Sequence, residues 1–346
     1  MQSLKKIILS HIKTHGPMSV ETYWTLCLSH PEHGYYIKQD PLGSAGDFTT
    51  SPEISQLFGE MIGIWAAEQW NRLGKPDTLH LIECGPGRGT LMADLLRIAK
   101  LIPDFAASLY IHLVETSPKL RNKQKQVLEG WNVIWHDNIS TIPTAFPNLI
   151  VGNEFLDALP IRQFVFDKDG WFERVIGASN DALTFGRGGQ VSGTDFPAST
   201  KENIQGQIFE YSPAREACFA EMCEKVSAQG GAILMIDYGH TKSALGDTFQ
   251  AVKSHKFVDV LENAGDADLT SHVDFERLMH KALDYKLAAS CLNQSEFLMS
   301  CGIEQRARQL KEKAMQDQRR DIDLALQRLT ADDQMGTLFK VLEVQK

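Results

Sequence analysis

Leu79-His80-Leu81-Ile82-Glu83-Cys84-Gly85-Pro86-Gly87-Arg88-Gly89-Thr90 decides how the rest of the chain is read. A short apolar run ends in an acid, glycines follow at alternate positions, and a helical pattern (Leu91, Leu95, Leu96, Ile98) starts at once. Strand, glycine turn and helix form the unit in which backbone amides approach a nucleotide-like ligand. Gly85, Gly87 and Gly89 have no Cβ to hold a ligand away, and take positive φ without penalty. A dinucleotide fingerprint would need glycine at 85, 87 and 90, and position 90 is Thr.

Outward from the turn, strands and helices alternate. Strands are expected at Thr78–Glu83, Leu109–Glu115, Asn132–His136 and Asn148–Asn153, with helices at Thr90–Lys100 and Pro118–Leu128. That rhythm predicts an α/β fold with a mostly parallel sheet. It lapses after Pro160. Residues 161–212 read as an inserted β region, with a hairpin signalled by Asp169-Gly170 and a loop over Ala178–Lys201. Helix Ser212–Gln229, strand Ala232–Asp237, helix Asp274–Leu283, strand Leu287–Leu292, helix Glu304–Leu329 and strand Thr337–Val344 complete the pattern. Upstream, helices are expected at Leu4–His15 and from a Ser19 cap through Leu28. A polar loop Gly43–Thr50 then leads into a helix Ile54–Leu73, with Ser51 as its cap, Pro52 at the first turn and Glu53 at the positive dipole end. The expected division is a helical cover with a lid loop over 1–76, then a core over 77–346.

Composition narrows the function classes. With 346 residues the chain can bury one large core or two domains. The balance of 35 basic and 44 acidic residues, −9, is no nucleic-acid footprint. The six cysteines form no C-x-x-C pair, which suits reduced thiols. His30 and His33 lack a third ligand at metal-site spacing, so no metal is expected. No run approaches a membrane span, and Met1–Lys13 lacks a signal-peptide pattern, so cytoplasm is the expected compartment.

Glu83–Gly89, as Glu-x-Gly-x-Gly-x-Gly, resembles the first motif of class I S-adenosylmethionine (SAM) dependent methyltransferases. SAM carries an ammonium, a sulfonium and a carboxylate: Glu83 suits the cations and the glycine amides suit the carboxylate. Glu115, ending the second strand, faces the same crevice and can accept both ribose hydroxyls. Asp137, ending the third, is the candidate for the exocyclic amine of adenine, with Asn138 beside it. The fourth strand runs into Asn153-Glu154-Phe155-Leu156-Asp157-Ala158-Leu159-Pro160, next to the methyl-donating end. Methyl transfer is an in-line displacement, so the nucleophile must be aligned behind the methyl group. A guanidinium nucleophile would be oriented by a bidentate carboxylate, for which Glu154 is the first candidate and Asp157 the second. Helix capping is the structural alternative for Asn153 or Glu154. Arg88 either pairs with Glu83 or points to solvent.

Gly46–Glu60, Glu83–Gly89, Val114–Pro118, Asn153–Pro160, Asp237-Tyr238-Gly239, Asp268–Phe275 and Gly336–Lys340 together resemble the MidA family of bacterial and mitochondrial methyltransferase-like proteins. The resemblance implies a seven-stranded, Rossmann-like SAM-dependent fold with N-terminal helices over the cofactor, to which Asp47 and Thr50 would contribute. For mitochondrial members it implies symmetric dimethylation of an arginine in a respiratory complex I subunit. The expectation is therefore a SAM-dependent protein-arginine N-methyltransferase acting on a protein partner, in the cytoplasm or, for a eukaryotic source, the mitochondrial matrix. Two rivals stand beside it: a small-molecule methyltransferase, and a non-catalytic SAM-binding assembly factor.

Overall fold

Strand Leu79–Cys84 is buried at every position, as an apolar strand covered on both faces should be. It pairs in parallel with Leu109–Val114 on one side and Asn148–Asn153 on the other. The computed structural model describes residues 3–38, 50–168, 170–191 and 204–346. In it the sheet runs Ala288–Asn293, Phe339–Gln345, Gly231–His240, Asn148–Asn153, Leu79–Cys84, Leu109–Val114, Val133–His136. Numbered along the chain, these core strands lie in the order 6-7-5-4-1-2-3. Phe339–Gln345 is antiparallel to both its neighbours, and the other pairings are parallel. The order reverses between the first and fourth strands, and beyond their carboxyl ends such a sheet opens a ligand crevice.

The chain divides into two compact units, Thr49–Leu156 with Cys218–Thr241 and Phe275–Lys346, and Met1–Phe48 with Asp157–Ala217 and Lys242–Asp274. Residues 50–76, grouped by sequence with the N-terminal helices, thus fold with the core. The reason is helix Gln56–Arg72, which buries Leu57, Phe58, Met61, Ile62 and Trp65 in the same apolar cluster as Leu91, Leu95 and Leu96 of helix Thr90–Ala99. Gly59 and Gly63 permit that approach: a Cβ on Gly59 would lie 2.6 Å from Asp94 Cβ, and one on Gly63 2.8 Å from the Leu95 carbonyl. In the second unit, helices Leu4–His15 and Val20–Ser29 bury Ile8, Tyr23 and Trp24 with Ile161, Ile176 and Phe249. The 161–212 region is joined there by 242–274.

Three local expectations change. The helix expected over Ile54–Leu73 is two helices, Ser51–Ile54 and Gln56–Arg72, because Ser55 is extended and its hydroxyl accepts from the Leu57 amide. Ser51 is then a first-turn residue and Thr50 holds the cap position. Helix Glu304–Leu329 splits into Ile303–Lys313 and Gln316–Thr330, the second started by the Gln318 side chain accepting from the Met315 amide. Within the loop expected at Ala178–Lys201, Ala182–Val191 is a strand paired with Gly170–Ser179. Gly188 permits it, since a Cβ there would lie 2.8 Å from Val175 Cγ1.

Candidate active site

The glycine turn sits where the sequence puts it. Gly85, Gly87 and Gly89 have φ of +66°, +53° and +87°, a region that favours glycine. At Gly85 a Cβ would also meet the Phe155 ring at 2.9 Å, so the loops after the first and fourth strands close against each other only without one. Gly89 leads directly into helix Thr90–Ala99. Thr90 donates its hydroxyl to Glu53 at 2.7 Å, and Arg88 lies 3.8 Å from the other Glu53 oxygen. Arg88 therefore pairs with Glu53, neither of the two options read from sequence.

Glu83 is 2% exposed, and its Oε2 has no hydrogen-bond partner among the described residues. Burial, and then the nearby Glu115 charge, push its pKa up to about 8, against a lowering contribution from the Met92 amide. Such a carboxyl favours the arrival of a cation. Glu115 is half-buried and burial raises its pKa. Its Oε1 accepts from the Ser117 amide at 2.7 Å, and its Oε2 from Gln124 Nε2 at 3.4 Å. The Thr116 amide also favours the ionised form, and the carboxylate keeps lone-pair capacity for a further donor.

Asp137 and Asn138 are exposed, at the outer end of the same strand row. Asp137 Oδ1 accepts from Arg121 Nη2 at 2.7 Å, and Asn138 Oδ1 accepts from the Ser140 hydroxyl. Arg121 also donates Nε to the Glu115 carbonyl at 2.6 Å, tying the second and third strand ends together.

Glu154 follows the fourth strand with φ +49°, the left-handed region that a non-glycine residue occupies at a cost. Its amide donates to the Ile236 carbonyl at 2.9 Å, which holds the turn. Its Oε1 accepts from the Ser51 amide and from Asn153 Nδ2, both at 3.0 Å. Asn153 itself is 9% exposed, and its Oδ1 has no partner among the described residues. Asn153 lies two positions past Val151, the register partner of Glu83, so both side chains project from one face of the sheet. Thr50 adjoins this group through the next peptide. The core unit thereby brings together Glu83, Gly85, Gly87, Gly89, Glu115, Asn153, Glu154 and Thr50.

Asp157 belongs to the other unit. Its carbonyl accepts from the buried Arg215 Nη2 at 3.0 Å, and that nitrogen also donates to the Ser271 hydroxyl at 2.7 Å. Asp47 lies outside the described residues. Sequence reasoning missed Ser51 as a backbone donor, Phe155 as the turn's packing partner, and Gln124. The last left a signal: Leu120 and Gln124, at i and i+4, are the buried positions of helix Pro118–Val127, and the second is polar.

Residues 61–291 match the model of the family described as "Putative S-adenosyl-L-methionine-dependent methyltransferase". The chain is 37% identical to the mitochondrial protein arginine methyltransferase NDUFAF7 of Xenopus tropicalis, covering 97% of this chain and 84% of that protein. To the Homo sapiens protein of the same name it is 33% identical, covering 89% and 75%. A crystal structure from Burkholderia thailandensis, solved with S-adenosyl-homocysteine (SAH) bound, superposes with a TM-score of 0.86 at 24% identity, covering 99% of this chain and 92% of that one. That likeness carries the fold. With the 6-7-5-4-1-2-3 sheet and its glycine turn, these matches identify the chain as a member of the SAM-dependent methyltransferase family that includes the NDUFAF7 arginine methyltransferases.

Proposed function

We propose that this protein is a protein-arginine N-methyltransferase. The observation that carries the reading is Glu154: a carboxylate in a costly left-handed turn, pinned by two N–H donors beside the sheet's switch point. The names of the relatives, protein arginine methyltransferases, support the same acceptor.

The residues present fit SAM. Two buried acceptors on one sheet face, Glu83 Oε2 and Asn153 Oδ1, have no partner among the described residues, and a cationic amino-acid end would satisfy both. Glu115 takes the ribose hydroxyls on its remaining lone pairs, and the glycine turn opens the way for the ligand's carboxylate. Asp137 and Asn138 are assigned to the adenine, and Thr50 to the cofactor's neighbourhood. When bound, SAM supplies a methyl group on a positively charged sulfur.

Glu154 holds the arginine. Arginine has a pKa above 12, so a conventional base at neutral pH gains little. A carboxylate gripping two guanidinium N–H groups instead fixes the attacking nitrogen and localises the opposing charge. The nitrogen forms its bond to carbon while sulfur keeps the departing pair, and the surplus guanidinium proton leaves to solvent. Asp157 is given no step.

The partner is a protein presenting an arginine, and we extend this to a respiratory complex I subunit. The compartment is the one where such subunits meet the enzyme, the cytoplasm of a bacterium or the matrix of a mitochondrion. Glu154→Gln keeps an oxygen for Ser51 and Asn153 but loses the charge. It should bind SAH as wild type does and slow methyl transfer to arginine at least about a hundredfold. Unchanged turnover removes Glu154 from the chemistry. Label from SAM confined to solutes favours a small-molecule acceptor, and SAH binding without any transfer favours the assembly-factor role.

A further inference from the structure

We infer that Gln124 is a positioning residue for the cofactor, its amide bracing the glycine turn and the ribose carboxylate into one preformed cradle. The inference rests on the SAM site proposed above.

Gln124 is completely buried in helix Pro118–Val127. Its Oε1 accepts from the Trp135 indole at 2.8 Å, and its Nε2 donates to the Gly87 carbonyl at 2.7 Å and towards Glu115 Oε2 at 3.4 Å. The chemistry of the partners fixes the amide's orientation. An indole nitrogen is only a donor and a carbonyl only an acceptor, so oxygen must face Trp135 and nitrogen must face Gly87. Both amide protons are thereby committed to the two elements that frame the nucleoside. The fit extends to the third glycine: a Cβ on Gly89 would lie 3.4 Å from Gln124 Cγ. Gln124 itself has no donor left over for a ligand.

The consequence lies in Glu115. With the Ser117 amide on one oxygen and Gln124 on the other, the carboxylate cannot swing, and its remaining lone pairs are aimed together. A diol is bound by both at once, and a preorganised acceptor pair loses little entropy on binding. A buried glutamine retained only to satisfy its own polarity would affect stability and leave diol recognition alone.

Gln124→Met keeps the volume and removes the three hydrogen bonds. Calorimetry with SAH, and competition with adenosine and 2′,3′-dideoxyadenosine, separates the possibilities. Gln124→Met should weaken SAH about tenfold, the scale of one lost hydrogen bond to a charged group. It should also bring the wild type's preference for adenosine over the dideoxy nucleoside close to parity. Trp135→Phe, which leaves the amide free to turn over, should show the same trend at roughly threefold, and carries the test should the methionine variant fail to fold. An unchanged nucleoside preference, with SAH affinity within about twofold of wild type, overturns the inference. Failure of the wild type to bind SAH would instead strike at the SAM site itself.

Discussion

Strand Leu79–Cys84 buries an acid on one face and a histidine on the other, and the two are perturbed in opposite directions. On the face of Leu79 and Leu81, Glu83 is held up to about 8, first by burial and then by Glu115. On the other face His80 lies against His112, ring centroids 4.7 Å apart, and His112 meets His136 across a 2.9 Å hydrogen bond. Burial, then the neighbouring histidines and Lys225, hold His112 down to about 3. Lys225 is buried there too, donating to the Ile142 carbonyl at 2.7 Å. Both clusters contain polar atoms with no partner among the described residues, Glu83 Oε2 on one side and His112 Nε2 on the other. The difference is the sign of what could relieve them. A cation relieves Glu83, whereas the histidine face already holds a buried ammonium and gains nothing from another positive charge. Of these two buried polar clusters, the acidic one is the one that a cation would relieve.

The largest effect expected from this contrast is on the cofactor. At pH 7 free Glu83 is mostly protonated, and a cation beside it favours the ionised form. SAH binding should then release most of a proton, seen as a binding enthalpy that changes with the ionisation enthalpy of the buffer. Glu83→Gln should abolish that buffer dependence and weaken SAH roughly a hundredfold. Equal enthalpies in all buffers for the wild type would break the comparison. A smaller effect is expected at the turn. Gly85→Ala imposes a positive φ on alanine and pushes on the Phe155 ring, and should cost about 2 kcal/mol, visible as a lower Tm.

The smallest effect is on acid stability, where the two faces act in opposite windows. Glu83 in the folded chain keeps a proton that the unfolded chain gives up, so the ligand-free protein loses stability as pH rises from about 4.5 through 8. His112 refuses a proton that the unfolded chain takes, so stability is lost as pH falls from about 6.5 towards 3. His112→Gln removes the second dependence and should recover about 1 kcal/mol at pH 5.8 relative to pH 7.5. Identical pH dependence of Tm in variant and wild type would show that His112 is not the group refusing the proton.

What could be read from sequence was local. Asn148–Asn153 and the glycine turn follow from apolar runs and backbone requirements that a few consecutive residues express. Ser51 was legible as a helix-start residue, yet its amide is satisfied by Glu154, 103 positions away, rather than by a side-chain cap. Gln124 shows the same limit: its helix and buried face are periodic, but Gly87, Glu115 and Trp135 meet it only once three strands are assembled. Gly186 and Arg187 read as a loop by composition and pair with Val175 and Arg174, because neighbouring Gly170–Ser179 offers a ladder that is interrupted only before Gln190. The break at Met315 has no glycine or proline to announce it.

Arginine methylation measured by quantitative mass spectrometry, in cells with and without this protein, decides whether it methylates protein arginines. A small set of methylarginine sites should disappear on removal, return with the wild-type chain, and stay absent with Glu154→Gln. No methylarginine site changing on removal, or full restoration by Glu154→Gln, would contradict that expectation.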